Sequence, residues 1–217
     1  MQIILRNYTK IIKRIKILDD INLSFEDGKI YGINGENGSG KTMLMRAIAG
    51  LIRPNSGTVE IDGKILFKDI SFPESLGILI ETPGFISKYS GYKNLLVISS
   101  LKKSIGTNEI CETLKRVGLD PLDKRAYHKY SLGMKQRLGV ACAIMEHPKI
   151  ILLDEPTNAL DEEGVGQIRD IVIEEKNAGA LIIIACHDKE ILGYLSDEII
   201  SIHAGKILEK NVHPLTY

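Results

Sequence analysis

The sequence predicts an α/β fold: a mixed sheet core with an N-terminal antiparallel β part and an inserted helical lobe. Three observations carry this. Ile30 to Ile33, Ile150 to Leu153 and Ala180 to Ile184 are short, wholly or largely apolar runs, as expected of strands buried on both faces. Helical patterns follow them. Between them, residues 83–147 change texture and read as mainly helical.

Each element can be justified in order. Residues 2–33 read as short strands and turns, with period-two alternation in Ile21 to Phe25 and a turn at Glu26-Asp-Gly28. Ile17 and Leu18 add a short apolar patch. Lys10, Lys13, Arg14 and Lys16 make this segment locally basic, either as a solvated loop face or as a binding patch. Met43 to Gly50 is an amphipathic helix. A loop follows from Ile52 to Gly57, then a strand from Thr58 to Ile61 and a tight hairpin turn at Asp62-Gly63. Ile78 to Ile80 is a further strand. Thr82-Pro-Gly84 breaks the chain. Helices are expected over Gly91 to Lys102 and Asn108 to Val117, the second capped by Thr107, and over Leu132 to Met145 until Pro148. The α/β rhythm resumes at Ile150, with helices from Glu162 to Lys176 and Lys189 to Leu195. A closing hairpin pairs Glu198 to Ile202 with Lys206 to Leu208.

Composition narrows the function classes. At 217 residues the chain is long enough for a sizeable core. Its 28 basic and 28 acidic residues cancel, which argues against a nucleic-acid partner or an acidic membrane surface. Cys111, Cys142 and Cys186 lie far apart, as in a reducing cytoplasm rather than a disulfide framework or a zinc ribbon. No apolar run approaches the roughly 18 residues of a membrane span, and the N-terminus lacks a signal-peptide layout. A membrane role would therefore require a second, spanning chain.

Two stretches carry chemistry. Gly35-x-x-x-x-Gly40-Lys41-Thr42 stands between a strand and a helix, the P-loop pattern. Gly35, Gly38 and Gly40 permit unusual backbone angles, so the loop's N–H groups can converge on an anion at the helix N-terminus. Lys41 can reach β- and γ-phosphates, and the Thr42 hydroxyl can ligate Mg²⁺. A glycine-rich turn that binds nothing is the plain alternative. Asp154 and Glu155 end the apolar run from Ile150, at the sheet mouth where α/β folds bind ligands. Asp154 suits Mg²⁺, directly or through water, and Glu155 suits a general base for in-line attack on the γ-phosphate.

Beyond these stretches the chain resembles the ATP-binding cassette (ABC) proteins. Gly35 to Thr42 matches their Walker A motif, and Asp154-Glu-Pro-Thr-Asn-Ala-Leu-Asp161 resembles Walker B and the D-loop. Tyr130-Ser-Leu-Gly-Met-Lys-Gln-Arg137 stands at the signature, and His187, within Ala185-Cys-His-Asp188, at the switch histidine. The resemblance implies a P-loop NTPase of ABC cassette type. It would be one domain, 1–217, with an ATP-binding core (1–82 and 148–217) and a helical signature subdomain (83–147). It implies ATP and Mg²⁺ as ligands and a head-to-tail dimer, homomeric or heteromeric, with two sandwiched ATPs. Asn37, Gly38, Ser39, Gly40, Lys41, Thr42 and Met43 would hold the nucleotide; Glu155, His187 and Lys41 would serve catalysis. Thr42, Asp154 and Glu81 would serve the metal. Ser131 and Gly133 would meet the γ-phosphate bound by the other protomer, and Asp161 would cross the interface. Without the resemblance, Ser131 and Asp161 read as plain helix caps and His187 as a surface or core histidine.

Departures sharpen the match. Leu132 and Met134 replace a glycine and a glutamine of the signature, and Glu81 stands for the lid-loop glutamine. Ile12 falls where an adenine-stacking aromatic is usual, with Tyr8 as the nearby substitute if the loop kinks. Ser-Leu-Gly-Met-Lys-Gln-Arg-Leu with Ile-Glu-Thr-Pro resembles bacterial exporter ATPases of the bacitracin- and lantibiotic-resistance type. The resemblance implies a minimal cassette without a C-terminal regulatory domain. It would be peripheral on the inner face of the cell membrane and would drive a separate transmembrane permease. Phe85, Ile86 and Tyr89 either contact that permease or pack under the helical lobe. The rival reading is a soluble ABC ATPase acting as a mechanical switch. It lacks its usual long charged linker or coiled coil here. A degenerate, non-hydrolysing cassette is disfavoured by the presence of Lys41, Thr42, Asp154, Glu155 and His187.

Overall fold

The computed structural model describes residues 1–81, 83–102 and 104–212, with side chains through 210. The expected chain break begins at Thr82, which lies outside the described residues.

Two sheets organise the chain. In the first, β1 (Gln2–Ile12) pairs antiparallel with β2 (Ile15–Glu26), then with β4 (Ser56–Ile61), which pairs with β5 (Lys64–Ile65). The predicted short strands and turns of residues 2–26 are thus two long strands. The alternation was hidden because their register slips between Leu5 and Tyr8, Tyr8 and Lys10, and Lys10 and Ile11. Such irregularities break the period of two. Lys13 and Arg14, with φ of 47° and 66°, make the hairpin turn at the exposed tip. Asp62 and Gly63 turn as expected, with φ of 48° and 79°.

The second sheet runs in the order β10-β9-β3-β8-β7-β6. It comprises β3 (Ile30–Asn34), β6 (Leu76–Leu79), β7 (Ile150–Asp154), β8 (Leu181–Cys186), β9 (Glu198–His203) and β10 (Lys206–Val212). All neighbours are parallel except β9 and β10. Ile150, Leu152, Leu181 and Ile183 enter one buried cluster, while Ile151, Leu153, Ile182 and Ile184 enter the other. That two-sided burial is why these strands read as unbroken apolar runs.

Helix α1 (Lys41–Ile48) lies on the first side, with Leu44, Met45 and Ile48 fully buried beside Ile3 and Phe25 of the antiparallel sheet. On the other side lie α2 (Gly91–Lys102), α3 (Thr107–Arg116), α4 (Leu132–Ile144), α5 (Glu162–Asn177) and α6 (Lys189–Leu195). Thr107 is the first residue of α3 rather than its cap. Gly106 takes the cap position, and its N–H donates to the Glu109 carboxylate at 3.0 Å. Among the described residues, no helix is long and apolar enough to cross a membrane.

Candidate active site

The parallel register determines where the site forms. Asn34 of β3 pairs with Cys186 of β8, and Ala185 of β8 with Asp154 of β7. The carboxyl ends of three strands therefore meet at one edge, and the residues that follow them face a common cleft. The cleft is lined by Ile12, Ile17, Asn37, Gly38, Gly40, Lys41, Thr42, Met43, Asp154 and Glu155 among others.

The glycine loop closes tightly over this edge. Gly40 has φ of +113°, a backbone state that any side chain would strain. Lys41 is only 5% exposed. Its ammonium folds back onto the loop, donating to the Gly35 carbonyl at 2.5 Å and to that of Glu36 at 3.2 Å. The Ser39 hydroxyl is buried with no hydrogen-bond partner. An orphaned buried hydroxyl in a glycine-rich loop at a helix N-terminus, two residues from a buried ammonium, fits an anion.

Thr42 and Asp154 are 112 residues apart, yet the Thr42 hydroxyl donates to Asp154 Oδ2 at 2.6 Å. Burial pushes the Asp154 carboxyl above the usual carboxylate range. Thr42 and Lys41 oppose this, while the nearby charges of Glu155 and Glu81 add to it. A cation would relieve that burden, and a hydroxyl plus a carboxylate is an oxygen donor set suited to Mg²⁺.

Glu155 leaves β7 with left-handed φ of 50°, which directs it away from the strand. Its N–H donates to the Ala185 carbonyl at 2.8 Å. Its carboxylate meets His187 Nδ1 at 2.9 and 3.0 Å and lies 3.9 Å from the Lys41 ammonium. Glu155, His187 and Lys41 thus converge. Glu81 also has a left-handed backbone, but it is 62% exposed on its side chain and pairs with Arg46 at 2.8 Å. Arg46 held no role in the sequence reading.

The stretch from Tyr130 to Arg137 packs directly against the loop that begins at Glu155. Ser131 caps α4, its hydroxyl accepting from the Met134 N–H at 3.2 Å. The following Leu132 is 74% exposed. Asp161 caps α5, accepting from the Gly164 N–H at 2.9 Å. A Cβ on Gly133 would stand 2.9 Å from the Ala159 carbonyl, so only glycine lets α4 approach the loop after Glu155 this closely. Gln136, also without a role in the sequence reading, donates to the Glu155 carbonyl at 2.8 Å. Only its place within the signature stretch hinted at this.

Three side chains complete the picture. Ile12 does line the cleft, joined by Ile17, for which the sequence offers no more than a short apolar patch. Tyr8 cannot serve as the stacking substitute. It is fully buried in the core, its hydroxyl donating to the Ile52 carbonyl at 3.0 Å. Phe85 packs edge-on against Tyr127 with ring centroids 5.2 Å apart, whereas Ile86 and Tyr89 are exposed. Of the three, Phe85 thus packs under the lobe, while Ile86 and Tyr89 face outward.

Comparison with known proteins agrees with this geometry. The pattern of the ABC transporter family matches residues 18–158. The uncharacterized ABC transporter ATP-binding protein YybJ of Bacillus subtilis (strain 168) is 48% identical over 93% of this chain and 92% of its own length. The bacitracin transport ATP-binding protein BcrA of Bacillus licheniformis is 38% identical over 93% of this chain and 67% of its own length. Among solved structures, the bacterial ABC transporter cassette MJ0796, described as a dimer, superposes with a TM-score of 0.88 at 25% identity, covering 99% of each chain. A glycine loop, the Asp154-Glu155 pair and His187 gathered at one sheet edge, on this fold and with these relatives, lead to one conclusion: the chain belongs to the ABC transporter family, as an ATP-binding and ATP-hydrolysing subunit.

Proposed function

We propose that this chain powers a bacterial exporter: two copies, or this chain and a related one, close around ATP and drive a separate membrane permease. The observation that carries the reading is the convergence of Lys41, Thr42, Asp154, Glu155 and His187 on one cleft. Residues 37–43 hold the triphosphate, with Lys41 leaving its loop carbonyls for the phosphate oxygens. Thr42 and Asp154 would hold Mg²⁺, with Glu81 as a further oxygen donor were it to release Arg46. When bound, that ion would supply charge neutralisation for the triphosphate.

Glu155 accepts the proton of the attacking water as its oxygen bonds to the γ-phosphorus, and the bond to the bridging oxygen breaks. His187 keeps the carboxylate oriented and hydrogen-bonds the γ-phosphate. Ser131 and Gly133 of one protomer complete the site of the other, and Asp161 lies at their junction. Residues 83–147 form the lobe that answers the permease, with the exposed Ile86 and Tyr89 as its contact. The likeness to the bacitracin transport protein supports the exporter reading. The chain then works on the cytoplasmic face of the membrane.

Replacing Glu155 by Gln tests the chemistry. Turnover should fall by about 10²–10⁴-fold, the range for a lost general base. The variant should elute as an ATP-bound dimer in size exclusion. Parent-like hydrolysis would remove Glu155 from this role. Mild-detergent purification from native cells tests the assembly. A polytopic membrane protein should co-purify in comparable amount. Recovery with ribosomal or DNA-associated proteins instead would replace the exporter by a soluble switch.

A further inference from the structure

Beside the hydrolytic residues lies a group that the proposed reaction does not use. Cys186 ends β8, one residue before His187 and directly across the sheet edge from Glu155. The ligand atoms of Glu155, Cys186 and His187 all lie within 4.8 Å of one another. We propose that these three side chains form a Zn²⁺ site that arrests the enzyme when occupied. The inhibitory consequence rests on the function proposed above; the metal site itself does not.

The donor set supports a borderline-soft cation. One thiolate, one imidazole and one carboxylate are the ligand types of Zn²⁺, and Mg²⁺ has little use for sulfur or nitrogen. Tetrahedral coordination places ligand atoms about 3.5 Å apart, so only small side-chain rotations are needed. Three protein ligands leave one position for water. The frame is already rigid, because the Glu155 N–H is bonded to the Ala185 carbonyl and β7 pairs with β8 through Asp154 and Ala185. The Asp188 N–H donates to Cys186 Sγ at 3.4 Å, a polarity that favours a thiolate.

In the metal-free chain the thiol is 2% exposed, and burial pushes its pKa up to about 11, against the opposing Asp188 N–H bond. The cation must therefore displace the thiol proton to solvent as the Zn–S bond forms; no electron transfer is involved. Once bound, Zn²⁺ occupies the lone pairs that Glu155 would offer to water and ties His187 to the strand end. Thr42 and Asp154, the oxygen donors proposed for Mg²⁺, remain free. The arrest acts on the base rather than on nucleotide binding.

The test uses the full chain without an affinity tag. Zn²⁺ alone is titrated in competition with a chromogenic chelator, with no nucleotide present. One Zn²⁺ per chain is expected. Cys186→Ser and Cys186→Ala should each weaken binding by at least about tenfold, the lower end for disturbed metal sites, and Cys111→Ser should not. In the ATPase assay, Zn²⁺ should inhibit the parent and a chelator should restore it. Cys186→Ser should keep parent activity without Zn²⁺ and need at least about tenfold more Zn²⁺ for inhibition. Equal Zn²⁺ affinity in the parent and both Cys186 variants would overturn the site and leave the thiol a packing group. Zn²⁺ binding in a parent without ATPase activity would instead overturn the proposed function and leave the site standing.

Discussion

At the amino-terminal ends of β3 and β9, Glu198 sits between Lys29 at 2.8 Å and Lys210 at 2.9 Å. At the carboxyl ends of β3 and β7, Lys41 is buried as deeply and Asp154 is half-buried, and both are matched less well. The Lys41 ammonium rests mainly on carbonyls, and its carboxylate neighbour Glu155 is 3.9 Å away. The titration of the two acids records the difference. Burial works against the charge of both. The two lysines outweigh it at Glu198, whose carboxyl lies below its ordinary value. Burial wins at Asp154, whose carboxyl lies above. Glu175 is likewise buried between basic side chains, with Arg116 at 2.8 Å and His147 at 3.2 Å. The lesson is that one sheet keeps structural charge balanced at one end and leaves functional charge for a ligand to balance at the other.

The largest way to break this contrast is at the balanced end. Arg116→Ala leaves Glu175 buried with only His147. The loss should be about 2–3 kcal/mol, since the arginine is partly exposed. At about 2–4 °C per kcal/mol for a chain of this size, the melting temperature should fall by about 5–10 °C. ATP turnover per folded molecule, measured well below the melt, should stay unchanged. An unaltered melting curve would remove Glu175 and Arg116 from the stabilising set.

The opposite sign is expected at the cleft. The raised Asp154 pKa means that its charged form costs the folded, ligand-free chain stability. That cost is absent below the ordinary carboxylate range and is incurred as pH rises through the folded value. At neutral pH, Asp154→Asn should therefore raise the melting temperature of the nucleotide-free chain by about 2–4 °C, for about 1 kcal/mol. It should also abolish the further rise on adding Mg²⁺ and ATP. A lower melting temperature for the ligand-free variant would show that Asp154 is balanced after all, and would end the contrast.

Legibility followed contact range. Buried parallel strands announce themselves locally, so the sheet core was readable from Ile150 to Leu153 and its counterparts. The glycine loop is contiguous and was equally plain. The hairpin of β1 and β2 was blurred because its register slips where alternation would have shown it. The cap of α3 was misassigned because the Glu109 carboxylate, reaching back to the Gly106 N–H, marks that end better than Thr107. In the cleft, spacing alone could not bring Thr42 to Asp154 or His187 to Glu155; family resemblance supplied that expectation. Gln136, Arg46 and Ile17 had no such guide. Their partners are set only by how helix, loop and hairpin pack.

The bond from Gln136 to the Glu155 carbonyl has a mechanical consequence. Helix α4 is a stiff rod of 13 residues, and its first turn begins at the solvent-facing Leu132. Gln136 clasps the main chain of Glu155, whose backbone already holds a left-handed angle. Any tilt of the rod would pull on that carbonyl, and so on the backbone from which the carboxylate projects. A neighbour docking on the first turn of α4 would then act as a trigger, setting when a phosphate bond breaks without entering the cleft.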